Sequence, residues 1–139
     1  MKILLTGGTG SIGNRIIKEL KKKHIIFSTF RNGNRPKNDK IKWIKFKNLR
    51  KKKIKANIII NCIVTHENSE KKELIDYINS NIKSMDEIVN YSKKNKVKLI
   101  INLSTISIYK KNAKNINEDC EIDNSNFLSL TKSLGELIL

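Results

Sequence analysis

The 139-residue sequence predicts an α/β fold in which a parallel β-sheet carries helices on both faces. Two observations lead to this prediction. Short apolar runs alternate with longer amphipathic stretches, which is the pattern of strand–helix–strand units. The first apolar run also leads directly into a glycine-rich turn, and an amphipathic stretch follows that turn at once. The length suffices for one domain with a hydrophobic core.

The N-terminal segment predicts a strand, a turn and a helix. Residues 3–5 are apolar and predict a buried strand that ends at the glycines. Residues 11–22 predict a helix, because apolar residues recur there at spacings of three and four. The residues expected on its buried face are Ile12, Ile16, Ile17 and Leu20.

Four further strands are expected. Residues 25–30 predict the second strand, and residues 41–46, which include Trp43, predict the third. Residues 58–64 are almost uniformly apolar, as expected for a strand that is covered on both faces. Residues 97–103 predict the fifth strand.

Two more helices follow from apolar periodicity. The first covers residues 70–94, and its expected apolar side consists of Leu74, Ile78, Ile82, Met85, Ile88, Val89 and Tyr91. After a polar loop, Asn124 and Ser125 are expected to cap a last helix that runs to the end of the sequence. The apolar positions of that last helix are Phe127, Leu130, Leu134 and Leu137.

The glycine-rich turn, residues 6–13, reads Thr-Gly-Gly-Thr-Gly-Ser-Ile-Gly. Glycines after a strand allow a tight turn, close approach of a pyrophosphate to the backbone, and close packing of the helix on the strand. A helix N-terminus also presents N–H groups and partial positive charge to phosphates. A glycine turn without a ligand is the alternative, but the flanking strand and helix favour dinucleotide binding. The residues expected to contact the cofactor are Gly7, Thr9, Gly10, Ser11, Ile12 and Gly13.

Several segments in register resemble the extended short-chain dehydrogenase/reductase superfamily, which contains nucleotide-sugar epimerases, dehydratases and reductases. Besides the glycine turn, they are residues 61–63 (Asn-Cys-Ile), 81–84 (Asn-Ile-Lys-Ser), 103–109 (Leu-Ser-Thr-Ile-Ser-Ile-Tyr) and 131–136 (Thr-Lys-Ser-Leu-Gly-Glu). The resemblance implies a Rossmann-type doubly wound sheet of strand order 3-2-1-4-5. It also implies that Cys62, Ile63 and Asn81 lie at the cofactor site. We expect residues 1–139 to form an NAD(P)-binding domain that lacks the family's C-terminal substrate-binding region.

The cofactor preference depends on the end of strand two. An acidic residue there usually selects NAD, whereas an arginine accommodates the 2′-phosphate of NADP. Here Arg31 follows the strand, and we interpret it as the phosphate ligand, with Arg35 or Lys37 as helpers. The alternative is an exposed loop arginine, so NADP is favoured and NAD stays possible. Asn48 and Leu49 stand where the family usually has Asp-Leu against the adenine.

The resemblance implies two catalytic residues and reveals one departure. Family members use a tyrosine as general acid or base, a lysine four residues later, and a hydroxyl residue on strand five. By position, Thr105 is that hydroxyl residue and Lys132, which would also bind the nicotinamide ribose, is the lysine. The tyrosine position is occupied by Leu128, and no tyrosine of the chain is followed by lysine four residues later.

Two functions therefore stay open. The first is an NADP-linked nucleotide-sugar epimerase, dehydratase or reductase, represented by its cofactor half, which transfers hydride at a sugar carbon. The second is a catalytically inactive or truncated relative that binds NADP as a sensor or partner subunit. The helices at residues 70–94 and 125–139 could also form a homodimer, although packing on the chain's own sheet would explain the same residues.

The composition bears on location and partners. The formal net charge is +16, which a genome that favours lysine, asparagine and isoleucine would produce without a dedicated ligand. We expect no specific nucleic-acid site, because aromatic residues do not interleave with the lysine pairs and triplets in the way that a base-stacking surface would need. No apolar run is long enough for a membrane span. Cys62 and Cys120 lack metal-ligand spacing, so we expect no metal site and a reducing cytoplasm.

Overall fold

The computed structural model describes residues 1–33, 36–37, 40–65, 72–110 and 115–139. The elements, in chain order, are β1 (Lys2–Thr6), α1 (Ser11–Leu20), β2 (Ile25–Phe30), β3 (Ile41–Lys45), a 3₁₀ helix (Phe46–Lys51), β4 (Ile58–Asn61), α2 (Leu74–Tyr77), a π-helical segment (Ile78–Lys83), α3 (Ser84–Asn95), β5 (Leu99–Asn102), a second 3₁₀ helix (Ile106–Ile108) and α4 (Phe127–Glu136). The chain divides into two compact units.

The first unit comprises residues Met1–Ile63 and Glu87–Leu103 and contains the whole sheet. Its strands are ordered β3-β2-β1-β4-β5, and all four pairings are parallel. This confirms the predicted α/β class and strand order. Strands β2 and β3 follow one another on one side of β1, and β4 and β5 follow one another on the other side. Connections between parallel strands of one sheet are as a rule right-handed.

Both faces of the sheet are covered by apolar side chains. On one face, Ile3 and Leu5 of β1 pack in a cluster with Ile17 of α1. On the other, Leu4 packs in a cluster with Ile88 of α3 and other buried residues. Alternation of side chains along β1 therefore serves two cores at once, as a doubly covered parallel strand requires.

The second unit comprises Val64–Asp86 and Ser104–Leu139. It contains α2, the π-helical segment, the second 3₁₀ helix and α4. An isolated antiparallel bridge joins Tyr109 to Ile122. The predicted helix of residues 70–94 is thus realised as three successive helical pieces, and its expected start at residues 70–71 lies outside the described residues.

Three expectations about buried faces and helix ends were wrong. Ile12 is 53% exposed, because it lies in the first turn of α1 beside the glycines, and Leu74 is 39% exposed at the start of α2. The cap of α4 is Asn126, whose side chain accepts a hydrogen bond from Ser129 N, rather than the predicted residues 124–125.

The largest difference concerns α4 itself. Its predicted apolar stripe is largely exposed, since Phe127 is 48%, Leu134 41% and Leu137 83% exposed. The buried residues are Leu128, Ser129, Thr131, Lys132, Ser133 and Gly135. Contacts made by the small and polar side chains of this helix, described below, account for that orientation.

Candidate functional site

The glycine-rich turn joins β1 to α1 and has no room for side chains at three positions. Gly7 has φ +77°, and a Cβ there would lie 2.8 Å from the carbonyl carbon and oxygen of Cys62. A Cβ on Gly8 would lie 1.9 Å from Ser28 Oγ, and one on Gly13 would lie 2.3 Å from the carbonyl oxygen of Gly7. Glycine is therefore a steric requirement of this turn, as the sequence predicts.

The turn is fixed by backbone hydrogen bonds and leaves its outer residues open. Gly10 N donates to Gly7 O at 3.0 Å, and Gly7 N donates to Thr29 Oγ1 of β2 at 3.3 Å. Thr9, Gly10, Ser11 and Ile12 are exposed. The first N–H groups of a helix lack intrahelical partners. Since the N-cap of α1 is a glycine and no acidic residue lies in its first turn, the helix end can accept an anion.

Asn61, at the end of β4, organises the neighbouring strand ends. Its Oδ1 accepts hydrogen bonds from Thr6 Oγ1 at 2.7 Å and from Ile63 N at 3.1 Å, and its Nδ2 donates to Asn102 Oδ1 at 2.9 Å. Asn61 thereby links the ends of β1, β4 and β5. The sequence motif marked this residue, but its role depends on strand pairing that only the structure shows.

Apart from the turn itself, the predicted cofactor residues of the first unit lie at separate places in the structure. Cys62 lies directly against Gly7, with Ile63 the next residue, so these two belong to the turn. Arg31 is exposed and follows β2, two residues after Thr29, whose hydroxyl accepts from the turn. Asn48 is half-buried and Leu49 fully buried in the core, both in the first 3₁₀ helix.

One predicted helper of Arg31, Arg35, lies outside the described residues. The other helper, Lys37, is described and exposed.

In the second unit, Asn81 lies in the π-helical segment and connects two other pieces of chain. Its Oδ1 accepts from Thr65 N at 3.4 Å, and its Nδ2 donates to Thr131 Oγ1 of α4 at 2.9 Å. A Cβ on Gly135 would lie 2.8 Å from the carbonyl oxygen of Asn81. Thus α4 is held against the π-helical backbone by a hydrogen bond and by the missing side chain of Gly135.

The predicted catalytic residues lie close to this contact. Lys132 follows Thr131 and is 4% exposed, and Leu128, one helical turn earlier, is 7% exposed. Residues four apart on a helix share a face, so an apolar side chain stands beside the buried lysine where the family's proton donor is expected. Leucine carries no transferable proton.

Thr105 and its neighbours complete the second unit's part of the site. Thr105 is half-buried, and its Oγ1 accepts from Ser107 N at 3.2 Å, which caps the second 3₁₀ helix. Ser104 Oγ donates to the carboxylate of Glu136.

A hydrogen bond between the exposed side chains of Lys110 and Glu121 raises the pKa of the lysine and lowers that of the carboxyl group.

Metal and membrane roles receive no support from the described part of the chain. Within it, no group of three or more His, Cys, Asp or Glu residues could hold a metal ion. Across the same ranges, the helices are too short or too polar to cross a membrane. Cys62 and Cys120 are not joined by a disulfide bond.

Comparison with known proteins places these observations in a family. A family model described as the NAD dependent epimerase/dehydratase family matches residues 3–139. No match was found among curated proteins.

Solved structures give the same fold. The enzyme WbmG from Bordetella bronchiseptica, in complex with NAD, is 20% identical with a TM-score of 0.86, and 100% of this chain covers 49% of it. UDP-glucuronic acid 4-epimerase from Bacillus cereus, also with NAD, is 22% identical with a TM-score of 0.85 (99% of this chain, 50% of that one). A UDP-galactose 4-epimerase is 17% identical with a TM-score of 0.87 (99% and 50%). The chain spans about half the length of these proteins.

Proposed function

Because this chain belongs to the NAD dependent epimerase/dehydratase family, we propose that it binds NAD(P) at the turn of residues 6–13 and represents the cofactor half of a nucleotide-sugar epimerase, dehydratase or reductase. The observation that supports this best is the turn itself, where a Cβ at Gly7 or Gly13 would collide with backbone. These close backbone contacts hold the turn in a conformation that leaves residues 9–12 exposed, so that a pyrophosphate could bind at the N-terminus of α1. The bound nicotinamide would supply the hydride acceptor and donor for chemistry at a sugar carbon.

NADP is the preferred cofactor in this proposal, with Arg31 as the ligand of the 2′-phosphate. Arg31 is exposed beyond β2, at the position where an acid would select NAD. Hydrogen bonds to charged groups contribute about 1.5–3 kcal/mol, so NADPH should bind roughly 10- to 100-fold more tightly than NADH. Two of the similar structures named above contain NAD, which makes the direct measurement decisive.

The test is a calorimetric titration of the chain with NADPH and with NADH near physiological salt. Arg31→Ala should weaken NADPH binding and leave NADH binding unchanged. Arg15→Ala, an exposed arginine of α1, is the matched control for loss of one positive charge. Equal affinities for the two cofactors would refute the role of Arg31, and binding of neither would refute the cofactor site.

Lys132 and Thr105 are the proposed catalytic residues if the chain, or a longer protein that contains it, acts on a nucleotide sugar. The lysine would bind the nicotinamide ribose and the hydroxyl would orient the substrate. UDP-glucuronic acid and UDP-galactose are the substrates to try first, because similar proteins are named for them. The assay follows reduction of NAD(P) and formation of the epimeric sugar in protein that carries the complete substrate-binding region.

The second candidate is an NADP-binding subunit without catalysis, and Leu128 is the observation that favours it. General acid–base groups contribute typically about 10²- to 10⁴-fold in rate, so turnover without the phenol should be weak. Cofactor binding with no turnover above about 1% of that of a Leu128→Tyr variant would support this candidate. Equal turnover by both proteins would refute it.

A homodimer through the predicted helices is the proposed assembly. Phe127, Leu134 and Leu137 form an exposed apolar stripe on α4, and Leu74 and Ile75 of α2 are 39% and 48% exposed. Sedimentation of the chain should show a dimer that Leu134→Lys with Leu137→Lys converts to a monomer. Lysine at exposed Ile106, outside these helices, is the control. A monomeric parent protein would exclude this assembly.

A further inference from the structure

The positive charge of the chain is concentrated in one segment. Residues 40–55 contain eight lysines and one arginine and no acidic residue, so this segment holds nine of the sixteen net positive charges. If basic residues were distributed evenly along the chain, a segment of this length would contain about three of them. A genome-wide preference for lysine spreads charge along the chain, and it does not account for this concentration. We name residues 40–55 the basic edge.

The structure places the start of the basic edge at one margin of the sheet and its end just before β4, the neighbour of the central strand β1. It begins before β3, the terminal strand, and continues through the first 3₁₀ helix toward β4. Its apolar residues Ile41, Ile44, Leu49 and Ile54 are at most 9% exposed and pack inward. All its basic residues except the half-buried Lys45 are exposed. The segment is therefore amphipathic, with its charges directed outward.

Contacts with neighbouring elements hold the basic edge against the rest of the first unit. The hydroxyl of Tyr91 on α3 donates to the carbonyl oxygen of Ile54 at 2.8 Å, and Arg50 forms an ion pair with Glu87. The Lys42 ammonium also lies 5.4 Å from the ring centroid of Phe27. Backbone that is already ordered loses little conformational entropy when a partner binds.

We propose that the basic edge binds the phosphate backbone of duplex nucleic acid without sequence preference. Clustered lysines gain affinity by releasing counterions from phosphates. Contacts to phosphates carry no direct sequence information, so specificity for a base sequence is not expected. This proposal is independent of cofactor binding.

The apolar residues around the basic edge decide between classes of polyanion. Membrane surfaces are usually bound by basic residues together with exposed apolar anchors. Among the described residues, the exposed large apolar side chains nearest in sequence are Ile25 and Leu74, both outside the basic edge. Single strands are usually held by exposed aromatic residues that stack on bases, whereas Trp43 and Phe46 pack against the core. Duplex phosphates require neither feature.

The experiment compares two variants of the 139-residue chain with equal net charge. The first replaces five lysines of the basic edge by glutamine: Lys42, Lys51, Lys52, Lys53 and Lys55. The second replaces five exposed lysines elsewhere in the first unit: Lys18, Lys23, Lys93, Lys94 and Lys98. Binding is measured by fluorescence anisotropy with two unrelated DNA duplexes, over a salt series, after thermal unfolding confirms that each protein is folded.

We expect the parent chain to bind both duplexes equally, with a log–log salt slope of about −4.5 if five phosphates are neutralised. The basic-edge variant should bind at least 10-fold more weakly with a shallower slope, and the control variant should change by less than about threefold. Arginine at the same five positions should restore binding, which separates charge loss from misfolding.

Three results would overturn the proposal. Equal losses in the two glutamine variants would show attraction by net charge alone. No binding of either duplex at about 0.15 M salt would exclude a nucleic-acid partner. Tighter binding to vesicles of anionic phospholipid than to DNA at the same salt would assign the basic edge to membranes.

Discussion

The glycine turn carries the motif expected to bind the cofactor, and helix α4 carries the segment that resembles the family's catalytic motif. The turn keeps its glycines, whereas α4 has leucine at the position of the tyrosine. At the turn, Gly7 and Gly13, both expected at the cofactor site, are among the glycines whose added Cβ would collide with backbone. At α4, Thr131 and Gly135 make close contacts with Asn81, yet Leu128 stands beside Lys132. Holding a dinucleotide depends on backbone geometry, whereas proton transfer depends on one side chain. The first requirement can be met without the second.

The largest effect is expected at Gly13. A Cβ there would lie 2.3 Å from the carbonyl oxygen of Gly7, so Gly13→Ala must displace the turn or the start of α1. Overpacking costs up to about 3 kcal/mol, which corresponds to roughly 100-fold weaker NADPH binding by calorimetry. Asn14→Ala is the control, at the exposed neighbouring position of α1. Unchanged affinity in Gly13→Ala would place the cofactor elsewhere.

Substitution of Asn81 tests whether its two hydrogen bonds stabilise the structure around α4. Asn81→Leu removes the acceptor for Thr65 N–H and the donor to Thr131 Oγ1, both buried. Leaving a buried polar group unsatisfied costs about 1–3 kcal/mol, so we expect a loss of about 2 kcal/mol in the free energy of unfolding by urea. Asn79→Leu is the control in the same π-helical segment, at an exposed position. Equal effects would mean that these hydrogen bonds contribute no stability.

Much of the fold could be predicted from the sequence because its signals are local. Strand β2 was predicted with its observed bounds, and the order of the sheet followed from alternating strands and helices with the family resemblance. The glycine turn was predictable because a short string of residues sets its backbone. Strand β4 ends at Asn61, three residues earlier than predicted. The side chain of Asn61 forms hydrogen bonds to the neighbouring strands.

The rest depends on contacts between distant residues. Apolar periodicity assigned the wrong face of α4 to the interior, because the rule assumes that apolar residues face the chain's own core. Here Thr131 and Gly135 fit the backbone and side chain of Asn81 instead. The π-helical segment has no sequence periodicity of its own to announce it. The acceptor role of Thr29 toward Gly7 likewise appears only when β1 and β2 are paired.

Restoring the phenol tests whether α4 lacks only the acid. In Leu128→Tyr, the new phenol lies one turn from Lys132, and a neighbouring positive charge lowers a tyrosine pKa. We expect the pKa of this tyrosine, followed by ultraviolet titration of tyrosinate, to lie below that of the same tyrosine in a protein without the lysine. Leu128→Tyr with Lys132→Met is the control. Tyr91, whose pKa burial raises, provides the opposite case in the same molecule. A shift that persists without the lysine would contradict this account.

The smallest effect is expected at the cap of α4. Asn126 Oδ1 accepts from Ser129 N at 2.8 Å, and replacing such a cap by alanine costs about 1 kcal/mol. Asn126→Ala should therefore lower the urea midpoint slightly, while Asn126→Asp should match the parent, since aspartate caps equally well. Ser125→Ala is the matched control, because Ser125 lies one residue before the cap. A larger loss in Ser125→Ala than in Asn126→Ala would restore the sequence-based cap. It would also shift the start of α4, while Leu128 and Lys132 would stay one helical turn apart because both lie inside the helix with either cap.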